Sequence, residues 1–313
     1  IDLGLTPSKA FDGVITGVCI DSRNAKRGCL FAALPGTQVH GARFLAQALE
    51  QGASAVLTDQ GGAQIALDLG FQEKAAFVIV QDPHAAIAAA ASLWFEVQPA
   101  TMVAVTVTNG KTSVASFCRQ IWTELGHDAV NLGTTGVEGV FSAPLVHTTP
   151  DPITLHKMLR ACAHASVTHG AMEASSHGLA QRRLDGVRLK AAGFTNFTQD
   201  HLDYHKSFDA YFDSKAGLFD RVLPPTGVAV LNVDDPKISK LCSRLCERGQ
   251  KTIKVGRSPH ANLQLLAQKF DPLGQTIRFF YQGKTYQSFL PFIGGFQGEN
   301  VLLAAGLCIA SGQ

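Results

Sequence analysis

Several residues of this chain have the side-chain types that phosphate and magnesium chemistry needs. The segment Thr108-Asn109-Gly110-Lys111-Thr112-Ser113 combines a glycine, a lysine and hydroxyl side chains, and Glu173, His201 and Lys215 follow later. Backbone N–H groups at the start of a helix favour an anionic phosphate, and carboxylate oxygens favour a hard cation such as Mg²⁺. The segment alone would permit a kinase, a GTPase or a motor. Together with the three later residues it indicates ATP-driven bond formation that uses magnesium.

The segment at 108–113, called the phosphate loop below, lies between a predicted strand and a predicted helix, which is the context that such a phosphate cradle requires. We expect Lys111 to neutralise the β- and γ-phosphates and Thr112 to reach the magnesium ion. The backbone donors at Asn109, Gly110, Lys111 and Thr112 are all present. The sequence therefore predicts an ATP site here.

Val107 stands where such loops often carry glycine. A β-branched residue tolerates a positive φ poorly. We therefore expect a working loop with altered nucleotide affinity. On this interpretation, Val107→Gly tightens ATP binding or leaves it unchanged.

Lys215 occupies a position where the helical pattern calls for a hydrophobic residue. The apolar stripe around it consists of Phe208, Tyr211, Phe212, Leu218, Phe219 and Val222. Burial weakens the preference of a lysine for its charged form, and a neutral amine can add carbon dioxide. The resulting carbamate is an anion whose oxygens suit magnesium. The alternative is a lysine whose stem is buried while its ammonium reaches water.

Glu173 and His201 are the other two candidate metal ligands. Glu173 ends an apolar run and could hold a hard cation, or it could form a salt bridge at the end of a strand. His201 directly follows the predicted turn 196–200, whereas His205, four residues later, could equally be a loop or capping residue. The sequence thus predicts magnesium contacts from Thr112, Glu173, His201 and Lys215.

The elements that must position these residues alternate between strands and helices. Residues 1–98 form a predicted small α/β domain, and a boundary falls at Gln98-Pro99-Ala100. Residues 99–313 form a predicted central domain of the doubly wound type with a mostly parallel sheet, in which ligands bind at the carboxyl ends of strands. The phosphate loop and Glu173 both follow such ends. From about Asn262 to Leu290, alternation around Gly283-Lys284 predicts one antiparallel hairpin.

Composition limits the class of protein. The 313 residues suggest two domains. A net charge of +2 gives no basic field for nucleic acid or an anionic membrane. Seven scattered cysteines without a close CxxC pair argue against a zinc ribbon and suggest a reducing compartment. No apolar run is long enough to span a membrane and no secretion signal is visible, so we expect a cytoplasmic protein.

Seven segments resemble those of the Mur ligase family, and the resemblance covers nearly the whole chain. They are Asp21-Ser22-Arg23, the phosphate loop, Thr148-Thr149-Pro150-Asp151, Glu173-Ala174-Ser175-Ser176-His177, Phe194-Thr195-Asn196, Asp200-His201-Leu202-Asp203-Tyr204-His205 and Ala210-Tyr211-Phe212-Asp213-Ser214-Lys215. Within the family, the segment at 200–205 favours the member that adds the third residue of the peptidoglycan peptide.

The resemblance implies a role for each matched residue. Residues 1–98 would bind UDP and residues 99–313 would bind ATP. The uridine end of the substrate would contact Ser22, Thr37, Gln38 and Val39. The muramoyl-dipeptide would contact Thr148, Thr149, Ser175, Gln181 and Arg183. Magnesium would be served by Glu173, His201 and carbamylated Lys215, with Thr112 on the nucleotide-bound ion. ATP would lie on residues 108–113, and Asn300 would touch its adenine.

The resemblance also implies an activity. ATP would phosphorylate the terminal carboxylate of UDP-MurNAc-L-Ala-D-Glu, and the amine of diaminopimelate or lysine would then attack the acyl phosphate. Catalysis would be mainly positioning and charge neutralisation. The implied partners are the UDP-MurNAc-dipeptide and the amino acid, with no nucleic acid or membrane and a monomeric state.

Two departures from the family pattern affect these expectations. Val107 and Ala104 replace glycines that are usual in the family. The family also has a C-terminal domain that closes over ATP and selects the amino acid, and residues 1–313 do not include it, so we interpret the chain as truncated. Two other functions therefore stay open: a non-catalytic UDP-sugar-peptide binding module, and a plain P-loop ATPase or kinase. No Asn-Lys-x-Asp segment of GTPases is present.

Overall fold

The structure is a computed structural model, and it describes residues 5–198 and 207–313. The chain forms two compact units. The first comprises the chain up to Glu96 together with Asp151–Met158, and the second comprises Val97–Pro150 and Leu159–Gln313. Each unit has its own sheet and its own hydrophobic core.

The first unit is built on a four-stranded parallel sheet. Its strands are β1 (Gly17–Cys19), β2 (Cys29–Ala32), β3 (Ala55–Thr58) and β4 (Ala76–Ile79), in the order β1-β2-β3-β4. Its helices are α1 (Leu45–Glu50), α2 (Gln60–Asp68) and α3 (Pro83–Phe95), and 3₁₀ turns lie at Ser22–Asn24 and Gly41–Phe44. Helix α3 begins as its sequence predicts, because the Asp82 carboxylate accepts the Ala85 N–H and Pro83 occupies the first turn.

The second unit contains a ten-stranded sheet. Its strands are β5 (Thr101–Thr106), β6 (Ala129–Gly133), β7 (Gly136–Gly139), β8 (His169–Glu173), β9 (Leu189–Phe194), β10 (Val228–Asn232), β11 (Lys251–Gly256), β12 (Leu263–Asp271), β13 (Gly274–Tyr281) and β14 (Lys284–Leu290). Its helices are α4 (Lys111–Glu124), α6 (Ser176–Ala180), α7 (Phe208–Gly217), α8 (Pro236–Glu247) and α9 (Gln297–Ala310). A π-helical turn at Leu218–Val222 continues α7, and α5 (Pro152–His164) contributes residues to both units.

The sheet of the second unit brings the candidate site to one edge. Its strand order is β14-β13-β12-β11-β10-β9-β5-β8-β6-β7. Each neighbouring pair between β12 and β6 in this order is parallel. Strand β5 lies between β8 and β9, and it is buried almost throughout because both faces are covered. The carboxyl ends of these three strands therefore meet at one edge. The predicted α/β fold with a mostly parallel sheet is confirmed.

The antiparallel end of this sheet differs from the prediction. Three strands, β12, β13 and β14, form two consecutive hairpins where the sequence predicted one. The turn that was missed lies at Asp271-Pro272-Leu273-Gly274, and Gly274 takes a φ of 156° there. The short strands β6, β7 and β11 were also not predicted.

No helix in the described ranges 5–198 and 207–313 combines the length and the apolar character needed to cross a bilayer.

Candidate active site

The phosphate loop joins the end of β5 to the start of α4. Gly110 precedes the helix with a φ of 102°, a conformation that costs glycine little and other residues more. No described side chain caps the helix there. The first N–H groups of an α-helix have no partner within the helix, so the start of α4 is a site that fits a phosphate.

A neighbouring loop holds the first half of the phosphate loop in place. The Asn196 side chain accepts the Asn109 N–H at 3.1 Å and donates to the Asn109 carbonyl at 2.8 Å. The Thr108 hydroxyl accepts the Thr198 N–H at 3.0 Å. One expectation needs correction, because the Asn109 N–H is already used within the protein. The donors left for a phosphate are those of the helix start, from Gly110 onward.

Val107 does not have the strain that the sequence suggested. It is not among the described non-glycine residues with a positive φ, and its side chain is fully buried in the core of the second unit. The physical reason for expecting Val107→Gly to tighten ATP binding is therefore wrong. Deleting this buried side chain would instead cost about 2–4 kcal/mol of folding free energy.

The Val107 carbonyl is a shared acceptor for the two predicted catalytic lysines. It accepts Lys215 Nζ at 2.9 Å and Lys111 Nζ at 3.0 Å. Lys111 Nζ also lies 3.3 Å from the Thr108 carbonyl. The two side-chain nitrogens are thus neighbours at the carboxyl end of β5, although they come from different helices.

Lys215 is one of the most completely buried side chains of the chain, with 1% of its surface exposed. Its Nζ lies 4.7 Å from the centre of the Tyr211 ring. The alternative of an ammonium that reaches water does not hold for this structure. The helix that carries it presents its aromatic residues to Phe194 at the end of β9, and this packing keeps Lys215 inside.

Glu173 is buried at the end of β8, and three donors surround its carboxylate. Its Oε1 accepts the Thr112 hydroxyl and the Thr134 N–H, both at 2.9 Å, and its Oε2 lies 3.3 Å from the Thr134 hydroxyl. A carboxylate beside hydroxyl oxygens is a donor set that fits a hard cation such as Mg²⁺. The bond to Thr112 joins the phosphate loop directly to this acidic strand end.

The residues assigned by resemblance to the dipeptide surround one loop, 148–150. The Thr149 hydroxyl donates to the Glu173 carbonyl and accepts the Ser175 N–H, each at 3.0 Å. Arg183 Nη1 donates to the Thr149 carbonyl at 2.7 Å, and its other nitrogens donate to Gln181 Oε1. The Thr148 hydroxyl lies 2.9 Å from that of Thr134. The structure thus brings all five residues together beside Glu173.

Asn300 lies on α9 against the phosphate loop. Its side chain is fully buried, and a Cβ at Gly110 would come within 2.6 Å of its Nδ2. Its Oδ1 has no hydrogen-bond partner in the described part of the chain. A ligand with an N–H donor, as adenine has, would satisfy this acceptor chemically. Contact with adenine stays a prediction.

Next to Asn300, Glu299 belongs to a charged group at the ends of β10 and β11. It accepts from Asn232 Nδ2 at 3.2 Å and lies 3.6 Å from Arg257 Nε. Burial raises the pKa of Glu299 above its ordinary value, and the charge of Arg257 opposes that shift.

The predicted uridine contacts lie in the first unit. Ser22 is buried after β1 and donates to Gln47 Oε1 at 2.6 Å, whereas Thr37, Gln38 and Val39 are exposed in the loop after β2. Because β1 and β2 are adjacent and parallel, both segments follow strand ends at the same edge of the small sheet.

His201 lies outside the described residues, so its predicted metal contact stays a prediction. Among the residues that the structure does describe, no group of three or more His, Cys, Asp and Glu side chains could hold a metal ion. Sequence reasoning missed Gly133 and Thr134, which approach Glu173 from β6. The signal was available in Leu132-Gly133-Thr134-Thr135-Gly136, a small polar segment that follows a short apolar run.

Comparison with known proteins agrees with this arrangement. The Mur ligase middle domain matches residues 105–308, and the Mur ligase family catalytic domain matches residues 14–109. A UDP-N-acetylmuramoyl-L-alanyl-D-glutamate--2,6-diaminopimelate ligase of Caulobacter vibrioides is 47% identical over 97% of this chain and 62% of its own length. The enzyme of the same name from Bradyrhizobium diazoefficiens is 42% identical over 96% of this chain and 61% of its own.

A solved structure agrees with the sequence relatives. That of a UDP-N-acetylmuramoyl-L-alanyl-D-glutamate--2,6-diaminopimelate ligase superposes with a TM-score of 0.81 at 27% identity, over 95% of this chain and 60% of that one. The chain therefore spans about three fifths of the length of the relatives it matches. The two domain matches together account for most of the described residues, and the chain belongs to the Mur ligase family.

Proposed function

We propose that this protein is an ATP-dependent amide ligase that joins diaminopimelate to UDP-MurNAc-L-Ala-D-Glu in peptidoglycan synthesis. The relatives that are 40–47% identical to it carry the name of the diaminopimelate-adding enzyme, which favours diaminopimelate over lysine. Members of this family use ATP and Mg²⁺.

One observation carries the proposal. The Thr112 hydroxyl of the phosphate loop donates to the Glu173 carboxylate, and the Glu173 backbone carbonyl accepts the Thr149 hydroxyl of the neighbouring loop. A cation held by this carboxylate could therefore lie between a nucleotide phosphate on one side and a peptide carboxylate on the other. A plain ATPase has no need of the second loop.

When bound, ATP supplies the phosphoryl group that activates the substrate carboxylate as an acyl phosphate, and Mg²⁺ neutralises charge. The residues of the chain position the reacting groups. The start of α4 and Lys111 hold phosphate oxygens, while Thr112 and Glu173 offer oxygen ligands to the cation. Arg183, whose planar fork suits carboxylate groups, orients the peptide. His201 completes the proposed cation ligands.

Lys215 is proposed to act as its carbamate. Its burial disfavours a charged ammonium, and the neutral amine adds carbon dioxide with loss of one proton, so that the new anion offers two oxygens to the cation. We expect a carbamate ¹³C NMR signal when the protein is equilibrated with ¹³C-bicarbonate at about pH 8. Lys215→Arg should lack the signal. A wild-type spectrum equal to that of this variant would refute the carbamate.

Calorimetry with UDP-MurNAc-dipeptide and, separately, with a non-hydrolysable ATP analogue tests the function. We expect the chain to bind both. Lys111→Ala should lose most of the affinity for the ATP analogue, whereas Lys157→Ala, an exposed lysine on α5, should not. Binding of the sugar nucleotide alone would favour a binding module. Binding of the ATP analogue alone would favour an ATPase or kinase.

A further inference from the structure

Thr134 contacts Glu173 twice, although the site residues predicted from the sequence do not include it. It follows Gly133, the last residue of β6, and β6 is the parallel neighbour of β8. Its N–H donates to one carboxylate oxygen of Glu173 at 2.9 Å, and its hydroxyl lies 3.3 Å from the other. Two contacts from one residue to both oxygens restrict the rotation of the carboxylate.

The same hydroxyl reaches the peptide loop. Thr134 Oγ1 lies 2.9 Å from Thr148 Oγ1. A hydroxyl has one proton to donate, so if Thr134 donates to Glu173, it accepts from Thr148. The hydrogen bonds then form one path that runs from Thr148 through Thr134 and Glu173 to Thr112 of the phosphate loop.

We infer that Thr134 is a positioning residue that links occupancy of the peptide loop to the orientation of the cation-binding carboxylate. The inference rests on the proposed function, because it assigns the two ends of the path to peptide and nucleotide. A peptide that forms a hydrogen bond with the Thr148 hydroxyl changes the hydrogen bond between the Thr134 hydroxyl and Glu173. Binding at one end of the path therefore alters affinity at the other, which is a thermodynamic coupling between the two sites.

The test compares Thr134→Val, which removes the hydroxyl at nearly constant shape, with Thr134→Ser, which keeps it. Thr135→Val is the matched control, since Thr135 is the adjacent exposed threonine. Calorimetry measures the affinity for a magnesium-loaded ATP analogue with and without saturating UDP-MurNAc-dipeptide. We expect the ratio of these affinities to differ from one by about fivefold or more in the wild type, in Thr134→Ser and in Thr135→Val. In Thr134→Val, the ratio of the two affinities should be about one.

A second measurement separates this inference from the proposed function. Binding of Mn²⁺ alone, followed by electron paramagnetic resonance, reports on Glu173 without either organic ligand. We expect Thr134→Val to weaken Mn²⁺ binding by about fivefold or more, with Thr134→Ser and Thr135→Val like the wild type.

Equal Mn²⁺ affinity in Thr134→Val and wild type would overturn the role of Thr134. If the wild type binds neither organic ligand, the proposed function fails, and the Mn²⁺ result still decides for or against Thr134. Thr134 is exposed, so its variants should keep the circular dichroism of the folded chain.

Discussion

The carboxylate of Glu173 lies directly against the backbone of Gly133. A Cβ at position 133 would come within 1.8 Å of Glu173 Oε1, closer than any real contact allows. A side chain at position 133 would therefore fit only if the Glu173 carboxylate moved away, and the φ of this residue is not the reason. Because Gly133 has no side chain, the backbone at the end of β6 can approach the Glu173 carboxylate, and the Thr134 N–H can donate to it.

Gly133→Ala should displace the Glu173 carboxylate and weaken cation binding. Removing the support of a metal ligand typically costs about 10- to 100-fold in metal affinity, so we expect a loss in that range for Mn²⁺ measured by electron paramagnetic resonance. Gly17→Ala is the control, because a Cβ there meets only Cys29 Cβ at 3.9 Å. Unchanged Mn²⁺ affinity in Gly133→Ala would show that Glu173 does not bind the cation.

The two lysines of the site illustrate what a residue pattern can and cannot predict. The apolar stripe around Lys215 left two possibilities open, a buried side chain and one whose ammonium reaches water, and the structure shows the buried one at 1% exposure. The same pattern could not predict that Lys215 and Lys111 share the Val107 carbonyl, because a stripe on one helix carries no information about the strand against which that helix packs.

At the scale of elements, two turns connect the antiparallel strands β12, β13 and β14, and each turn needs a glycine for a different reason. Gly274 in the first turn has a φ of 156°, and a Cβ there would lie 2.2 Å from the Leu290 carbonyl oxygen. Gly283 in the second turn has a φ of 79°, and a Cβ there would meet no other atom within 4 Å. The first turn is thus restricted by both conformation and space, and the second by conformation alone.

Gly274→Ala should therefore destabilise the chain more than Gly283→Ala. We expect a loss of about 2–4 kcal/mol for Gly274→Ala, from a steric conflict with backbone added to strain. We expect about 1 kcal/mol for Gly283→Ala, from left-handed strain alone. Urea unfolding of both variants measures the difference, and equal losses would contradict the steric argument.

The sequence predicted the elements that carry the loop and Glu173 better than the antiparallel strands. Strand β5 is a continuous apolar run that ends at the phosphate loop, so its type and its end were both clear. The hairpin of β13 and β14 around Gly283 was predicted, whereas the turn between β12 and β13 was missed. Strand β12 is buried only near its start and is mostly exposed toward Asp271, so its pattern does not show where the strand ends.

At the scale of the whole molecule, stability is divided between two cores, and the core of the second unit includes a pH-sensitive histidine. His169 at the start of β8 is 7% exposed, its ring centre is 4.1 Å from that of His127, and Trp122 packs on it at 5.1 Å. Burial, with the charge of His127 added, lowers the pKa of His169 below its ordinary value. Of the titratable side chains nearest to His169 in sequence, His164 is exposed and Glu173 is buried at the other end of β8. Those nearest to His127, Glu124 and Asp128, are exposed.

A lowered histidine pKa has a definite sign for stability. The folded state prefers the neutral ring of His169. The contribution of this ring to the free energy of unfolding is therefore fully present above the pKa of about 6.5 in the unfolded chain, and it is lost as the pH falls through the lower pKa of the folded state. We expect the urea concentration at which half of the protein is unfolded to decrease as the pH is lowered from about 7.5 to about 5. His169→Asn should lose less over that range than the wild type, whereas exposed His260→Asn should behave like the wild type. A variant with an undiminished fall would show that another group is responsible.

The sequence by itself determined the fold class and placed the phosphate loop and Glu173 at the ends of strands, because each depends on local periodicity or on a contiguous motif. Only the tertiary structure decided that Gly133 and Thr134 hold Glu173, that Asn196 occupies the Asn109 N–H, and that Val107 is unstrained. Those facts arise from residues far apart in sequence that meet when parallel strands end at one edge of a sheet. Their spacing along the chain contains no record of which strands become neighbours, since strand order is set by packing of the whole unit.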